Sequence, residues 1–203
     1  MKPFYELAQS VKFDGKGMLL YKDSRLQFIG RGRSAYVFRI GSTYLAMKVF
    51  LPHRTKEAKE EAEIYRILQN HPSYPELHGA GENYLVIDYI KGTTIYQCLH
   101  TGIDIRDEHV QQVDSALESA RRKGLNPSDI HLHNIILING QRIKVIDVAR
   151  YRQQKECSQW EDIKKAYTRY YRLKYFPKKI PRFVLNMIAA SYKRNLLGPL
   201  IGF

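Results

Sequence analysis

Cysteine is scarce in this chain, two in 203 residues, and no apolar run is long enough to span a bilayer. Cys98 and Cys157 have no partner at metal-ligand spacing, which excludes a disulfide framework and a zinc site as the organising device. No secretory signal is read at the N-terminus, so a reducing, cytoplasmic setting is expected. Internal repeats, low-complexity tracts and Pro/Gly/Ser-rich linkers are also missing, and with them any reading as a repeat array or a disordered tether. What is present suffices for an ordinary core. The chain is 44% hydrophobic and fits one domain or two closely packed lobes, with a turn at Lys91-Gly92-Thr93 as the expected boundary.

Three short stretches carry chemistry and can converge on one phosphoryl-transfer site: Asp129-Ile-His131-Leu-His-Asn134, Asp147, and Ala46-Met-Lys48. The helical run from Arg106 to Lys123 stops at Gly124, and Asp129 to Asn134 fall in the polar break that follows. Two β-branched runs, Ile135–Ile138 and Ile143–Ile146, are joined through Asn139-Gly140, which predicts a hairpin with a type I′ turn. Asn134 then stands at its entry and Asp147 at its exit, so an amide oxygen and a carboxylate share one end. That pair suits Mg²⁺, which takes a few hard oxygen ligands completed by phosphate and water.

Upstream, Ile29-Gly30-Arg31-Gly32 precedes the strand through Ala35 and Val37, and two glycines there let backbone approach phosphates with no Cβ in the way. A turn at Gly41-Ser-Thr43 leads into the next strand. Period-2 alternation puts Ala46, Lys48 and Phe50 on one face, so Lys48 is an ammonium among apolar neighbours. A lysine that holds phosphates needs a carboxylate to fix it. The following helix, with Thr55 as the expected N-cap and Ala58, Ala62, Ile64, Tyr65 and Leu68 as its apolar stripe, offers Glu57, Glu60, Glu61 and Glu63.

The ordered set Gly-x-Gly-x-x-Ala-x-Val (30 to 37), Ala-x-Lys (46 to 48), Glu61, Tyr84-Leu-Val-Ile-Asp-Tyr-Ile90, Asp-x-x-x-x-Asn (129 to 134) and Ile-Asp147 resembles the protein-kinase-like superfamily over roughly positions 26 to 150. The resemblance implies an α+β, two-lobed fold: an antiparallel β N-lobe with one helix (1–90) and a reduced, mainly helical C-lobe (91–203). It implies ATP and Mg²⁺ as cofactors. Lys48 would bind the α/β-phosphates, Glu61 would pair with it, and Asp129 would orient the acceptor hydroxyl, with His131 in support. Asn134 and Asp147 would hold magnesium. Ile29, Gly30, Arg31, Gly32, Ala35, Val37 and Ala46 would surround the nucleotide, with Ile87 at the back of its pocket and the backbone of Asp88 and Ile90 meeting adenine.

Departures narrow the resemblance. Ala35 replaces a third glycine, Pro127-Ser128 precedes the catalytic aspartate, Val148-Ala149 follows the metal aspartate, and no Ala-Pro-Glu comes after it. Asp-x-His-x-x-Asn is the form seen in lipopolysaccharide (Kdo) kinases, aminoglycoside phosphotransferases and other small atypical kinases, and the chain also resembles Rio-type kinases. Trp160 to Tyr167 looks like the helix that follows the metal aspartate in such relatives. A protein Ser/Thr acceptor is the leading expectation. A small-molecule, sugar or lipid kinase is the alternative, and a nucleotide-binding pseudokinase scaffold the alternative from another class.

Acid is scarce at the C-terminal end. Residues 150–203 hold 13 Lys/Arg against Glu156, Glu161 and Asp162, which is +10 of the total +13. Interleaved tyrosines make residues 150–194 a candidate surface for an anionic partner: nucleic acid, an acidic protein, anionic lipid or a phosphorylated small molecule. A solvated basic helix is the plainer alternative. The apolar stretch Leu196–Phe203 suits docking on the lobe or on a membrane surface.

Overall fold

The computed structural model describes residues 4–155 and 157–193, so the expectations for Arg194 and for Leu196–Phe203 lie outside the described residues. The chain divides into two compact units, residues 1–91 with 148–152, and residues 92–147 with 153–203. Both mix helices with antiparallel strands, as an α+β chain should.

The first unit opens with helix α1 (Phe4–Ser10) and the paired strands β1 (Lys12–Phe13) and β2 (Leu19–Tyr21). Strands β3 (Leu26–Arg31), β4 (Ala35–Ile40) and β5 (Leu45–Phe50) follow as a meander. After helix α2 (Thr55–Leu68), strands β6 (Leu77–Ala80) and β7 (Tyr84–Asp88) complete a five-stranded antiparallel sheet ordered β3-β4-β5-β7-β6. Its alternating side chains divide by face. Phe38, Met47, Val49 and Val86 join Leu7 and Leu26 in a closed apolar cluster, leaving Ala46 and Lys48 to the other face.

The α2 stripe Ala58, Ala62, Tyr65 and Leu68 is buried at helical spacing, and Glu61 falls within it. Thr55 is not the N-cap. Pro52 starts a short 3-10 turn, so Thr55 already has helical angles (φ −65°, ψ −31°), and Arg54 takes the cap position without a side-chain bond. Residues 148–152 belong to this unit: Tyr151 meets Tyr74 edge-on at 6.2 Å and Arg152 pairs with Glu63 at 2.6 Å.

The second unit contains β8 (Thr93–Thr94), α3 (Ile95–Thr101), α4 (Asp107–Arg122), β9 (Ile135–Ile138), β10 (Arg142–Val145), α5 (Gln159–Ala166), a π-helical turn Tyr167–Tyr171 and α6 (Arg182–Lys193). Its three-stranded sheet is ordered β10-β9-β8. Arg106 and Lys123 flank α4, and Gly124 turns the chain away at φ +77°.

The expected hairpin is present. Asn139 and Gly140 both have positive φ, and the Gln141 N–H donates to the Ile138 carbonyl at 3.1 Å, as in a type I′ turn. Gly92 is demanded by packing, because a Cβ there would lie 2.5 Å from Ile136 Cγ2 and 2.6 Å from the Leu137 carbonyl oxygen. The start of α3 carries a capping box that the sequence reading missed. Thr94 accepts from the Gln97 N–H while Gln97 Oε1 accepts from the Thr94 N–H.

Candidate active site

The candidate residues form one set in each unit. In the first, the antiparallel register puts Lys48 between Val37 of β4 and Leu85 of β7. Its ammonium donates to both carboxylate oxygens of Glu61, at 2.8 and 2.7 Å. The Lys48 side chain is 14% exposed and that of Glu61 1%, so the pair is shielded from water on the carboxylate side. Burying a lone carboxylate that deeply would cost several kcal/mol, which the bidentate bond offsets. Phe50, next on the same face, presents its ring 5.3 Å from the ammonium. The other acids of the helix are spent elsewhere or lie nearer the surface: Glu57 pairs with Arg54 and Glu63 with Arg152.

Gly30 lies within β3 opposite Val37, and Gly32 begins the turn into β4. Neither has positive φ. A Cβ at Gly30 would meet nothing within 4 Å, and one at Gly32 only the Ala35 carbonyl oxygen at 3.7 Å. The fold itself does not require glycine at either place. The Gly32 N–H is already spent on the Ala35 carbonyl at 2.8 Å, so it is not among the amides open to a phosphate. Ile29 is exposed, Arg31 stacks over Tyr36, and Ala35 is buried opposite Phe50. Ala46 and Ile87 face each other across β5 and β7. The Asp88 N–H donates to the Glu76 carbonyl and its carboxylate binds His78 and the Glu76 N–H, so both groups are engaged within the unit. Ile90 follows just past the end of β7.

In the second unit, Asp129 and Asp147 share an uncommon backbone state, with φ of 62° and 60°. Left-handed angles at a non-glycine residue are uncommon and are best tolerated by Asp and Asn. Asn134 is buried. Its Nδ2 donates to the Asp129 carbonyl at 3.2 Å, so the amide oxygen Oδ1 is not used in that bond, and its own carbonyl accepts from the Ile146 N–H at 2.8 Å. That last bond ties the entry of the hairpin to the residue before Asp147. The loop is anchored from behind: Asn126 Nδ2 donates to the carbonyls of Gln153 and Lys155, and the Ser128 hydroxyl to the Asn126 carbonyl.

The segment after Asp129 is a turn, closed by the Asn134 N–H on the His131 carbonyl at 2.8 Å. The two imidazoles meet edge-to-face at 5.9 Å. His133 also stacks on Tyr96 at 4.1 Å, and burial, then His131, lowers its pKa below the ordinary value. Nothing in the sequence pointed to Tyr96, since the contact joins positions far apart in the chain. His131 Nδ1 is buried with no hydrogen-bond partner among the described residues, an arrangement that folding alone does not favour.

Among the described residues no group of three or more His, Cys, Asp or Glu is arranged so that it could hold a metal ion. Cys98 is a core residue, its thiol pushed up to about 11 by burial. A cavity of about 350 Å³ within the second unit is lined by Ile95, Leu99, Val113, Trp160, Tyr171 and Leu185 and includes none of Asp129, Asn134 or Asp147.

Trp160 Nε1 donates to Asp114 at 2.7 Å, which fixes α5 on α4. Part of the basic segment is likewise structural: Lys164 pairs with Asp114 and Glu161, and Arg172 with Asp107.

No family model matches this chain. It is 48% identical over 176 residues to the Bacillus subtilis protein named "Putative serine/threonine-protein kinase YrzF", a match covering 86% of this chain and 82% of that protein. It is 27% identical over 140 residues to the Streptomyces coelicolor "Probable serine/threonine-protein kinase SCO3848", and 27% over 149 residues to the Enterocytozoon bieneusi "Probable serine/threonine-protein kinase KIN1 homolog". The last two matches cover 59% and 65% of this chain but span only 21% and 25% of those longer proteins. No described helix is long and apolar enough to cross a membrane.

Proposed function

The chain belongs to the protein-kinase-like family, and on that premise we propose that it is an ATP- and Mg²⁺-dependent kinase that transfers the γ-phosphate to a serine or threonine hydroxyl of a protein, as a compact, cytoplasmic relative of the Kdo- and Rio-type kinases. The observation that carries this reading is the bidentate Lys48–Glu61 pair. A strand lysine has no structural need for a nearly inaccessible carboxylate, and the arrangement holds one ammonium in a fixed place where phosphate oxygens can share it.

The remaining roles follow from the chemistry of each group. Residues 1–90 take the nucleotide: Lys48 binds its α/β-phosphates, and the open space over Gly30 is what a side chain there would take from them. Ile87, Asp88 and Ile90 take the base. Residues 91–203 carry the transfer. Asn134 Oδ1 and the Asp147 carboxylate are the hard oxygens that would hold Mg²⁺, whose charge offsets that of the transferring phosphate. Asp129, left-handed and braced by Asn134, orients the acceptor hydroxyl and takes its proton. His131 stands four residues before the hairpin strand with an unpaired nitrogen to offer the same phosphate.

Incubation of the purified chain with γ-labelled ATP, Mg²⁺ and a panel of proteins, sugars and lipids tests the reading. Label on serine or threonine of an acceptor protein is expected. Transfer confined to a sugar or lipid would make it a small-molecule kinase. A nucleotide-dependent rise in melting temperature with no transfer to anything would make it a scaffold.

A further inference from the structure

Between Ile163 and Phe203 the chain has ten Lys/Arg and no Asp or Glu. Ion pairs with the rest of the second unit account for Lys164 and Arg172, and Lys178 approaches Asp104. Lys174, Lys179 and Arg182 are exposed and have no ion-pair partner among the described residues. The positive charge of this region is therefore only partly spent on the fold.

The same region exposes large apolar side chains. Helix α6 is held by one face: Leu185 is buried, Asn186 accepts from the Tyr96 hydroxyl, and the Tyr192 hydroxyl donates to Asp162. Phe183, Met187 and Ala190, at i, i+4 and i+7, form the opposite face, with Phe183 69% and Met187 61% exposed. Leu173 and Tyr175, in the segment leading into α6, are exposed as well. A monomer that only needed solubility would gain nothing from Phe and Met at those positions.

We propose that the outer face of α6, with Lys174, Lys179 and Arg182, docks the protein on the surface of an anionic phospholipid bilayer. Charge complementarity selects the occupant's sign, and the apolar stripe selects its kind. A polyanion such as RNA rewards cations and stacking rings but gives no return for a thioether and a phenyl ring at helical spacing, whereas a bilayer interface takes both. Twelve residues of helix rise about 18 Å, enough to lie in the interface and too short to cross it. Neither signal alone holds a protein at a membrane, and here both occur within residues 174–187.

Cosedimentation of the full chain with phosphatidylcholine vesicles, with and without about a third of phosphatidylglycerol, provides the test. Binding is expected to the anionic vesicles only, weakening as salt rises. Each cation near such a surface contributes about fivefold, so the triple variant Lys174→Glu, Lys179→Glu, Arg182→Glu should lose roughly a hundredfold or more. Phe183→Ser with Met187→Ser should lose at least about tenfold while keeping the salt dependence. Both variants alter exposed side chains, and an unchanged melting temperature verifies their fold. As an independent readout, Phe183→Trp should shift its emission to the blue on anionic vesicles. Absence of binding to anionic vesicles at low salt would overturn the proposal. So would binding that the Ser variants leave intact and that homopolymeric RNA matches, since the region would then be a plain polycation.

Discussion

Lys48 and Glu61 are joined by two hydrogen bonds of 2.8 and 2.7 Å, yet only the carboxylate is almost wholly cut off from water. The asymmetry has a consequence for stability. Lys48→Met leaves a buried carboxylate without its cation and should cost about 3 kcal/mol, whereas Glu61→Gln leaves an ammonium that can still reach solvent and should cost clearly less. Urea midpoints of the two variants check this; equal midpoints would contradict it. Both should lower turnover by roughly a hundredfold or more.

Asp129→Asn preserves a residue type that accepts φ of 62° and removes only the charge. The variant should fold with a wild-type melting temperature and bind ATP within a few-fold, while transfer falls by on the order of a hundredfold or more. Asp129→Leu, by contrast, should also lower the melting temperature, since a branched side chain pays for left-handed backbone.

Asp147→Asn is the matching test of the metal. The ATP-dependent rise in melting temperature should lose most of its magnesium dependence, and the nucleotide-free protein should be unchanged. A rise that still requires Mg²⁺ in the variant would remove Asp147 from the ligand set.

His133 gives a pH prediction. Its folded pKa lies below the ordinary 6.5, with burial as the first cause and His131 as the second. On acidification the unfolded chain binds this proton before the folded one does, so stability falls as pH drops below about 6.5 and is unaffected above it. Melting temperatures from pH 8 to 5 should show this decline, and His133→Gln should flatten it. His131→Gln should instead lower transfer, because its unpaired nitrogen is the group proposed to serve the phosphate.

Gly92→Ala places a methyl group 2.6 Å from a backbone carbonyl of β9, which cannot rotate away. A loss of about 1–3 kcal/mol is expected from urea unfolding. Gly30→Ala, with open space around it, should leave stability unchanged and weaken only nucleotide binding.

Much of the frame was legible because its causes are local. Asn139-Gly140 prefers positive φ at both positions, so the hairpin and the pairing of its ends needed no tertiary information. The end of α4 followed from Gly124, and the face of Lys48 from alternation along β5. The local pattern left Glu57, Glu60, Glu61 and Glu63 open, and only the family resemblance named Glu61. Four glutamates within seven positions differ little as chemistry. The tertiary structure decided among them, because only one rotation of α2 buries the stripe and that rotation aims Glu61 at Lys48.

The same holds for features that join distant positions. Pairing of Lys164 with Asp114 and of Arg172 with Asp107, the stacking of Tyr96 on His133, and the membership of residues 148–152 in the first unit all arise from packing across tens of residues. Backbone preference acts over one turn of chain. Burial of apolar surface acts over the whole of it, and that is where the choice of partner for each charged or aromatic side chain was made.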